Sequence, residues 1–148
     1  MASTDRGTSL AVGDAVVHTV EHVLAAVAAS RIDNVWIDVS GPEVPIGDGS
    51  FRPFVEALSR AAIEVQDAAA RVIAPDRAVS AEAKGGASYV AAPAEAYRVS
   101  ATIDFDHPVV GRQYASFEIA PESFDREIGG ARTFGFMREA EALRARGL

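Results

Sequence analysis

A carboxylate and an imidazole stand side by side at Glu21 and His22, just before a run of small apolar residues at 23–29. A neutral imidazole binds metals, and a helix N-terminus favours the neutral form of a histidine. Glu21 would project about 100° away from His22 around a helix, which suits a base acting on water better than a second ligand. A polar helix end with a hydrogen-bonded core histidine also explains the pair, and is favoured on the dipeptide alone because no HExxH spacing follows.

Other polar residues could assist such a pair, and each also has a simpler structural interpretation. Asp48, between two glycines, could fix its loop or act as a buried catalytic aid, and loop fixing is the stronger interpretation. His107 stands in a turn before a proline, and His18 precedes the predicted helix and is expected at the surface. Arg132 and Thr133 lie between two helical segments, where they could bind an oxyanion or simply form a joint.

The composition restricts the classes of function. The chain has 148 residues and a formal net charge of −7, with no basic stripe, which argues against a nucleic-acid partner. It has no cysteine, which excludes a disulfide framework, a thiolate nucleophile and a Cys-type zinc site. The longest apolar run, at residues 23–29, is too short for a membrane helix, which needs about 20 residues. We therefore expect a soluble, cytoplasmic protein with no transmembrane segment.

The hydrophobic spacing predicts an α+β fold with a mostly antiparallel sheet packed on helices. The first helix, with Thr19 as its N-cap, carries aliphatic residues on one face and small ones on the other, so it should be buried. Further helices are predicted from Ser50 to residue 62, over 121–128 up to two glycines, and over 136–146 with a glycine at 147. Strands are predicted over 35–39, 71–80, 88–92, 99–105 and 112–119.

Taken together, these segments resemble the UDP-3-O-acyl-N-acetylglucosamine deacetylase family, the zinc amidases of lipid A biosynthesis. The matching stretches are TVEHVLAAVAASRIDNVWIDVSGPEVPIGDGSFRPFVEAL (19–58), TIDFDHPVVGRQ (102–113) and PESFDREIGGARTFGFMREAEALRARGL (121–148). Their order and spacing agree with the family, and DRGTSL near the start fits its preceding segment. The resemblance covers nearly all of the chain.

The resemblance implies two similar layered α+β half-domains with the site between them. Residues 1–108 would form most of the first half-domain, without its first strands, and residues 109–148 the beginning of the second. His22 matches a zinc ligand, Glu21 the general base that activates water, and Thr133 the hydroxyl that stabilises the oxyanion, while Asp48 receives no catalytic role. The implied reaction is hydrolytic removal of the N-acetyl group from an acylated UDP-sugar, and the full-length family member is expected to be monomeric.

The chain also departs from the family pattern. The family's other two zinc ligands, a histidine and an aspartate, come well after the ARTFGF block, and this chain ends before them. We therefore expect an internal fragment that lacks both ends, is inactive alone and binds zinc weakly. The alternative is a non-catalytic binding or interaction module that retains the fold. The presence of Glu21, His22 and Thr133 favours the fragment of a working enzyme, because a binding module does not need that set.

Overall fold

The computed structural model describes residues 1–4, 7–83 and 85–145, with the backbone alone at 142 and 143. These residues form helices and antiparallel two-stranded sheets, which confirms the α+β class. They divide into two compact units, one made of Met1–Ile63 with Pro121–Leu148 and the other of Glu64–Ala120. The division into half-domains at residue 108 stays a prediction.

The first unit begins with a hairpin that the sequence did not predict. Strand β1 (Leu10–Val12) pairs antiparallel with β2 (Ala15–Val17), and Gly13 in the connecting turn has a φ of +57°. A positive φ at this position suits glycine because it has no Cβ. Helix α1 (Glu21–Ala29) follows the hairpin, and a long loop connects it to α2 (Arg52–Ser59).

Helix α1 is buried on two sides, as its composition predicts. Leu24 is the exception, because its side chain is 41% exposed although it belongs to the predicted aliphatic stripe. Val20 and Val23 form a small core with Val44 from the following loop. Burying one such side chain stabilises the fold by roughly 1.5–3 kcal/mol, so these contacts help to hold α1 against the loop. The buried residues of the helix are His22, Val23, Ala26, Val27 and Ala29.

The start of α1 differs from the prediction. Thr19 has a φ of +58°, and its hydroxyl donates to Oε1 of Glu43 at 2.6 Å instead of accepting from the first turn. The N-cap position belongs to Val20, which has no polar side chain to cap the helix. The backbone of His18 bonds to residues 42 and 44 of the loop. The predicted threonine cap is therefore wrong, because a tertiary hydrogen bond replaces the local one.

The remaining helices of the first unit lie near the end of the described chain. Helix α3 (Pro121–Ser123) continues into a π-helical turn (Phe124–Ile128), and α4 spans Met137–Ala145. The amide of Gly129 donates to the carbonyl five residues back at 2.7 Å, and a Cβ there would lie 2.8 Å from the carbonyl oxygen of Asp125. The helix therefore ends at the two glycines, as predicted. The predicted end of the last helix, at residues 146 and 147, lies outside the described residues.

The second unit contains two hairpins. Strand β3 (Val79–Glu82) pairs with β4 (Ser88–Ala91), and β5 (Arg98–Asp104) pairs with β6 (Arg112–Glu118), both antiparallel. The predicted pairing of the last two strands is thus confirmed. The strand predicted from residue 71 forms only from Val79 onward, and Lys84, in the predicted turn after it, lies outside the described residues.

The strand predicted at residues 35–39 is wrong for this structure. Its alternating sequence suits a half-buried strand, yet Val35 and Trp36 are 45% and 95% exposed and the segment has no regular structure. A strand needs a neighbour for its backbone hydrogen bonds, and within the described ranges no strand pairs with these residues. Among the described helices, none is both long and apolar enough to cross a membrane.

Candidate active site

Glu21 and His22 occupy the first turn of α1. The residues just before the hairpin contact the residues just before that turn. The amide of Val20 donates to the carbonyl of Thr8 at 3.1 Å, and Val20 is itself buried in the core. The imidazole of His18 contacts the buried hydroxyl of Ser9, with 2.8 Å between Nδ1 and Oγ. These contacts tie the segment before β1 to the start of the helix.

His22 is buried between aromatic rings. Its side chain is 7% exposed, and its ring stacks on Phe51 with a centroid separation of 4.9 Å and an angle of 26°. Phe51 in turn meets the edge of Phe124 at 5.3 Å. Within the described part of the chain, the buried Nδ1 of His22 has no hydrogen-bond partner. The interpretation of His22 as a fully hydrogen-bonded core histidine is therefore wrong for this atom.

Glu21 is half-buried and held by the backbone. Its Oε2 accepts a hydrogen bond from the amide of Thr8 at 2.8 Å. Gly7 packs against the same carboxylate, since a Cβ at that residue would lie 3.3 Å from Oε1. One carboxylate oxygen is thus fixed by a peptide N–H, and the other lies beside a residue without a side chain. The sequence provides no signal for these two contacts, because Thr8 lies 13 residues before Glu21 and Gly7 precedes Thr8.

Asp48 fixes the loop that precedes α2. Its Oδ1 accepts from the amide of Ser50 at 3.0 Å and from the Ser50 hydroxyl at 2.7 Å. The hydroxyl oxygen of Ser50, which is 1% exposed, accepts in turn from the amide of Arg52 at 3.3 Å at the start of the helix. The two bonds from Ser50, followed by the charge of Arg132, lower the pKa of Asp48 below its ordinary 3.8. The geometry agrees with the loop-fixing interpretation of Asp48. The prediction that Ser50 caps this helix is wrong, because the N-cap position belongs to Phe51 and has no side-chain cap.

Thr133 lies against this same loop, although 84 residues separate its neighbour Arg132 from Asp48. The amide of Thr133 donates to the carbonyl of Gly49 at 2.9 Å. Gly49 has a φ of +82°, and a Cβ there would lie 3.4 Å from the Thr133 methyl group. Arg132 places Nη2 3.5 Å from Oδ2 of Asp48. The structure therefore brings the ARTFGF segment to the loop whose last residue, Phe51, stacks on His22.

The other two histidines take part in other hydrogen bonds. His18 is exposed, as predicted, and contacts Ser9 rather than the site residues. His107 belongs to the second unit, where its Nδ1 accepts from the amides of Val109 and Val110 at 3.2 and 3.3 Å. This arrangement agrees with the turn interpretation of His107.

The described residues do not form a metal site by themselves. Among residues 1–4, 7–83 and 85–145, no three histidine, cysteine, aspartate or glutamate side chains are grouped so that they could hold an ion. A catalytic zinc needs about three protein ligands and an open position. His22, with its unpaired buried nitrogen, fits one ligand of such a set, and the described residues do not complete the set.

Comparisons with known proteins agree on one family. Three proteins named UDP-3-O-acyl-N-acetylglucosamine deacetylase resemble the chain over almost its whole length. The protein from Nitratidesulfovibrio vulgaris is 46% identical over 146 residues, which cover 99% of this chain and 47% of the relative. The proteins from Acidithiobacillus ferrooxidans and Methylococcus capsulatus are 45% and 44% identical, and the matches cover 49% and 48% of their lengths.

The chain thus spans about half the length of the curated relatives it matches. The family model for LpxC, UDP-3-O-acyl N-acetylglycosamine deacetylase, matches residues 1–148, which is every residue of the chain. Together with the placement of Glu21 and His22 at a buried helix start, this match shows that the chain belongs to the UDP-3-O-acyl N-acetylglycosamine deacetylase family.

Proposed function

We propose that this chain supplies part of the active site of a deacetylase that hydrolyses the N-acetyl group of UDP-3-O-acyl-N-acetylglucosamine in lipid A biosynthesis. The observation that carries the proposal is the buried Nδ1 of His22, which has no hydrogen-bond partner among the described residues. Buried polar atoms of purely structural side chains are nearly always paired. The names of the relatives supply the reaction, and the position of Glu21 beside this histidine supports it.

In this reaction Glu21 acts as the general base. It accepts a proton from the water that attacks the acetamide carbonyl carbon, and returns that proton to the amine nitrogen as the carbon–nitrogen bond breaks. The Thr8 amide holds Oε2 and so fixes the position of the carboxylate that takes this proton. A positioned base of this kind contributes roughly 10²–10⁴-fold to a rate.

Thr133 acts on the negative charge that develops on the carbonyl oxygen. A hydroxyl fixed in position stabilises such an oxyanion more in the transition state than in the substrate. The backbone bond from Thr133 to Gly49 fixes the residue that carries this hydroxyl. Loss of one donor of this type costs roughly 10²–10³-fold in rate.

Among the described residues, His22 is the one zinc ligand that we propose. His22 would hold the ion through a ring nitrogen, and the remaining ligands would come from residues outside the described ranges. When bound, zinc polarises the substrate carbonyl. We further propose that the chain is an internal piece of a longer, monomeric and cytoplasmic enzyme, with half-domains that divide at residue 108.

A non-catalytic module is the second candidate. It is favoured by one observation, namely that the described residues hold no group of three metal-ligating side chains. Such a module would keep the fold and the contacts of α1 without turning over substrate. Activity in a complete protein context separates the two candidates.

A chimera provides that context. Residues 1–148 would replace the matching segment of the Nitratidesulfovibrio vulgaris relative, and acetate release from UDP-3-O-acyl-N-acetylglucosamine would be measured together with zinc content. We expect turnover with stoichiometric zinc, and loss of both in the His22→Ala chimera. The His107→Ala chimera is the matched control and should keep both, because His107 lies in a turn of the second unit. A folded, zinc-loaded chimera without turnover would favour the module.

A further inference from the structure

The loop at residues 46–51 contacts two of the candidate active-site residues. Gly49 accepts the backbone hydrogen bond of Thr133 at 2.9 Å, and Phe51 stacks on the ring of His22 at 4.9 Å. The conformation of this loop therefore determines where Thr133 lies. Gly49 is buried and has a positive φ, a conformation that glycine adopts readily, so the position of the carbonyl that holds Thr133 depends on how the residues on either side of Gly49 are supported.

Asp48 is the residue that supplies this support. One of its carboxylate oxygens accepts both hydrogen bonds from Ser50, which closes a turn around Gly49. The other oxygen lies 3.5 Å from the guanidinium of Arg132, the neighbour of Thr133. The same carboxylate thus contacts Ser50, the neighbour of Gly49, and Arg132, the neighbour of Thr133.

We propose that Asp48 is a positioning residue, which acts on the deacetylation through Thr133 by fixing the Gly49 carbonyl. The role rests on the proposed function, because Thr133 must carry the oxyanion hydroxyl for its position to affect the rate. Asp48 itself touches no reacting atom. The same contacts could merely stabilise the loop, so the test has to measure an effect that passes through Thr133.

The first measurement needs no activity. Hydrogen exchange of the Thr133 amide would be followed by NMR in the 148-residue chain at neutral pH, for the parent and for Asp48→Ala. We expect exchange at Thr133 to become roughly tenfold faster, the effect of losing the support of one ordinary hydrogen bond. The amide of Val44, which bonds to the carbonyl of His18, should stay unchanged and reports on the rest of the unit.

Two variants support this comparison. Asp48→Asn keeps an oxygen that can accept from Ser50, so it should restore most of the protection at Thr133. Asp104→Ala removes a carboxylate from the exposed ion pair with Arg112 in the second unit and should leave Thr133 unchanged. Unchanged exchange at Thr133 in Asp48→Ala would overturn the proposal, as would equal acceleration at Thr133 and Val44.

The second measurement is a double-mutant cycle on kcat in the chimera described above. We expect Asp48→Ala to lower kcat roughly tenfold when Thr133 is present, and less than about twofold in the Thr133→Val background. An equal loss in both backgrounds would mean a merely structural role and would overturn the proposal. An inactive chimera would count against the proposed function instead, and the exchange measurement would still decide whether Asp48 positions Thr133.

Discussion

Replacing His22 with phenylalanine should make the 148-residue chain more stable, although it removes a residue of the proposed active site. The Nδ1 atom of His22 is buried without a hydrogen-bond partner among the described residues, and the side chain is 7% exposed. Leaving one such atom unsatisfied costs about 1–3 kcal/mol. Phenylalanine removes that cost and keeps the ring stacked on Phe51.

The slightly larger ring offsets part of the gain, because extra volume in a packed site is itself destabilising. We therefore expect the free energy of unfolding to rise by about 1 kcal/mol, which corresponds to a rise of roughly 2–4 °C in Tm for a domain of this size. Urea and thermal unfolding would be followed by far-UV circular dichroism in the presence of a chelator. Fluorescence is a poor probe here, since Trp36 is already 95% exposed.

His18→Phe is the matched control in the same unit. The Nδ1 of His18 contacts the buried hydroxyl of Ser9 at 2.8 Å, so this change should lower the free energy of unfolding by about 1 kcal/mol. The two substitutions should therefore change the free energy of unfolding in opposite directions. If His22→Phe destabilises the chain as His18→Phe does, then the cost of an unpaired Nδ1 does not dominate at this position, and the functional interpretation loses its main support.

Three further changes test the packing and the electrostatics. Asp48→Asn should lower the free energy of unfolding at neutral pH. The difference from the parent should shrink as pH falls through the lowered pKa of Asp48, below 3.8, because protonation of Asp48 in the parent removes the same charge. A difference in the free energy of unfolding that persists in acid would contradict this. Phe124→Ala should cost about 3–5 kcal/mol in the same urea titrations, because Phe124 is 6% exposed and packs on Phe51. Arg112→Ala breaks an exposed ion pair with Asp104 and should cost at most about 1 kcal/mol. A larger loss would contradict the expectation that an exposed ion pair contributes little to stability.

The sequence predicts the elements whose signal is local. The i, i+3, i+7 spacing of Val20, Val23 and Val27 predicts a buried α1, and all three side chains are buried. The alternation around residues 99–105 predicts β5, and its antiparallel partner forms as expected. In both cases the pattern needs only near neighbours along the chain, or a hairpin partner close in sequence.

Where the outcome depends on distant contacts, local patterns fail. Thr19 is a favoured N-cap residue, yet its hydroxyl bonds to Glu43 and its backbone adopts a positive φ. Residues 35–39 alternate like a strand but have no pairing partner in the described ranges. The contact between Asp48 and Arg132 spans 84 residues, and no spacing rule connects the two. The assignment of the candidate site residues therefore rests on family resemblance, whereas the loop that contacts His22 and Thr133 is visible only in the structure.

The most direct test of the proposed chemistry is the single-turnover rate of acetate release by the chimera carrying Glu21→Gln, compared with the chimera carrying Glu118→Gln. Glu118 forms an exposed ion pair with Arg98 within the second unit, so its loss removes the same charge from a residue to which no catalytic role is proposed. We expect the Glu21→Gln rate to fall by roughly 10²–10⁴-fold and the Glu118→Gln rate to stay within about twofold of the parent. A Glu21→Gln chimera that releases acetate at the parent rate would contradict the assignment of Glu21 as the base.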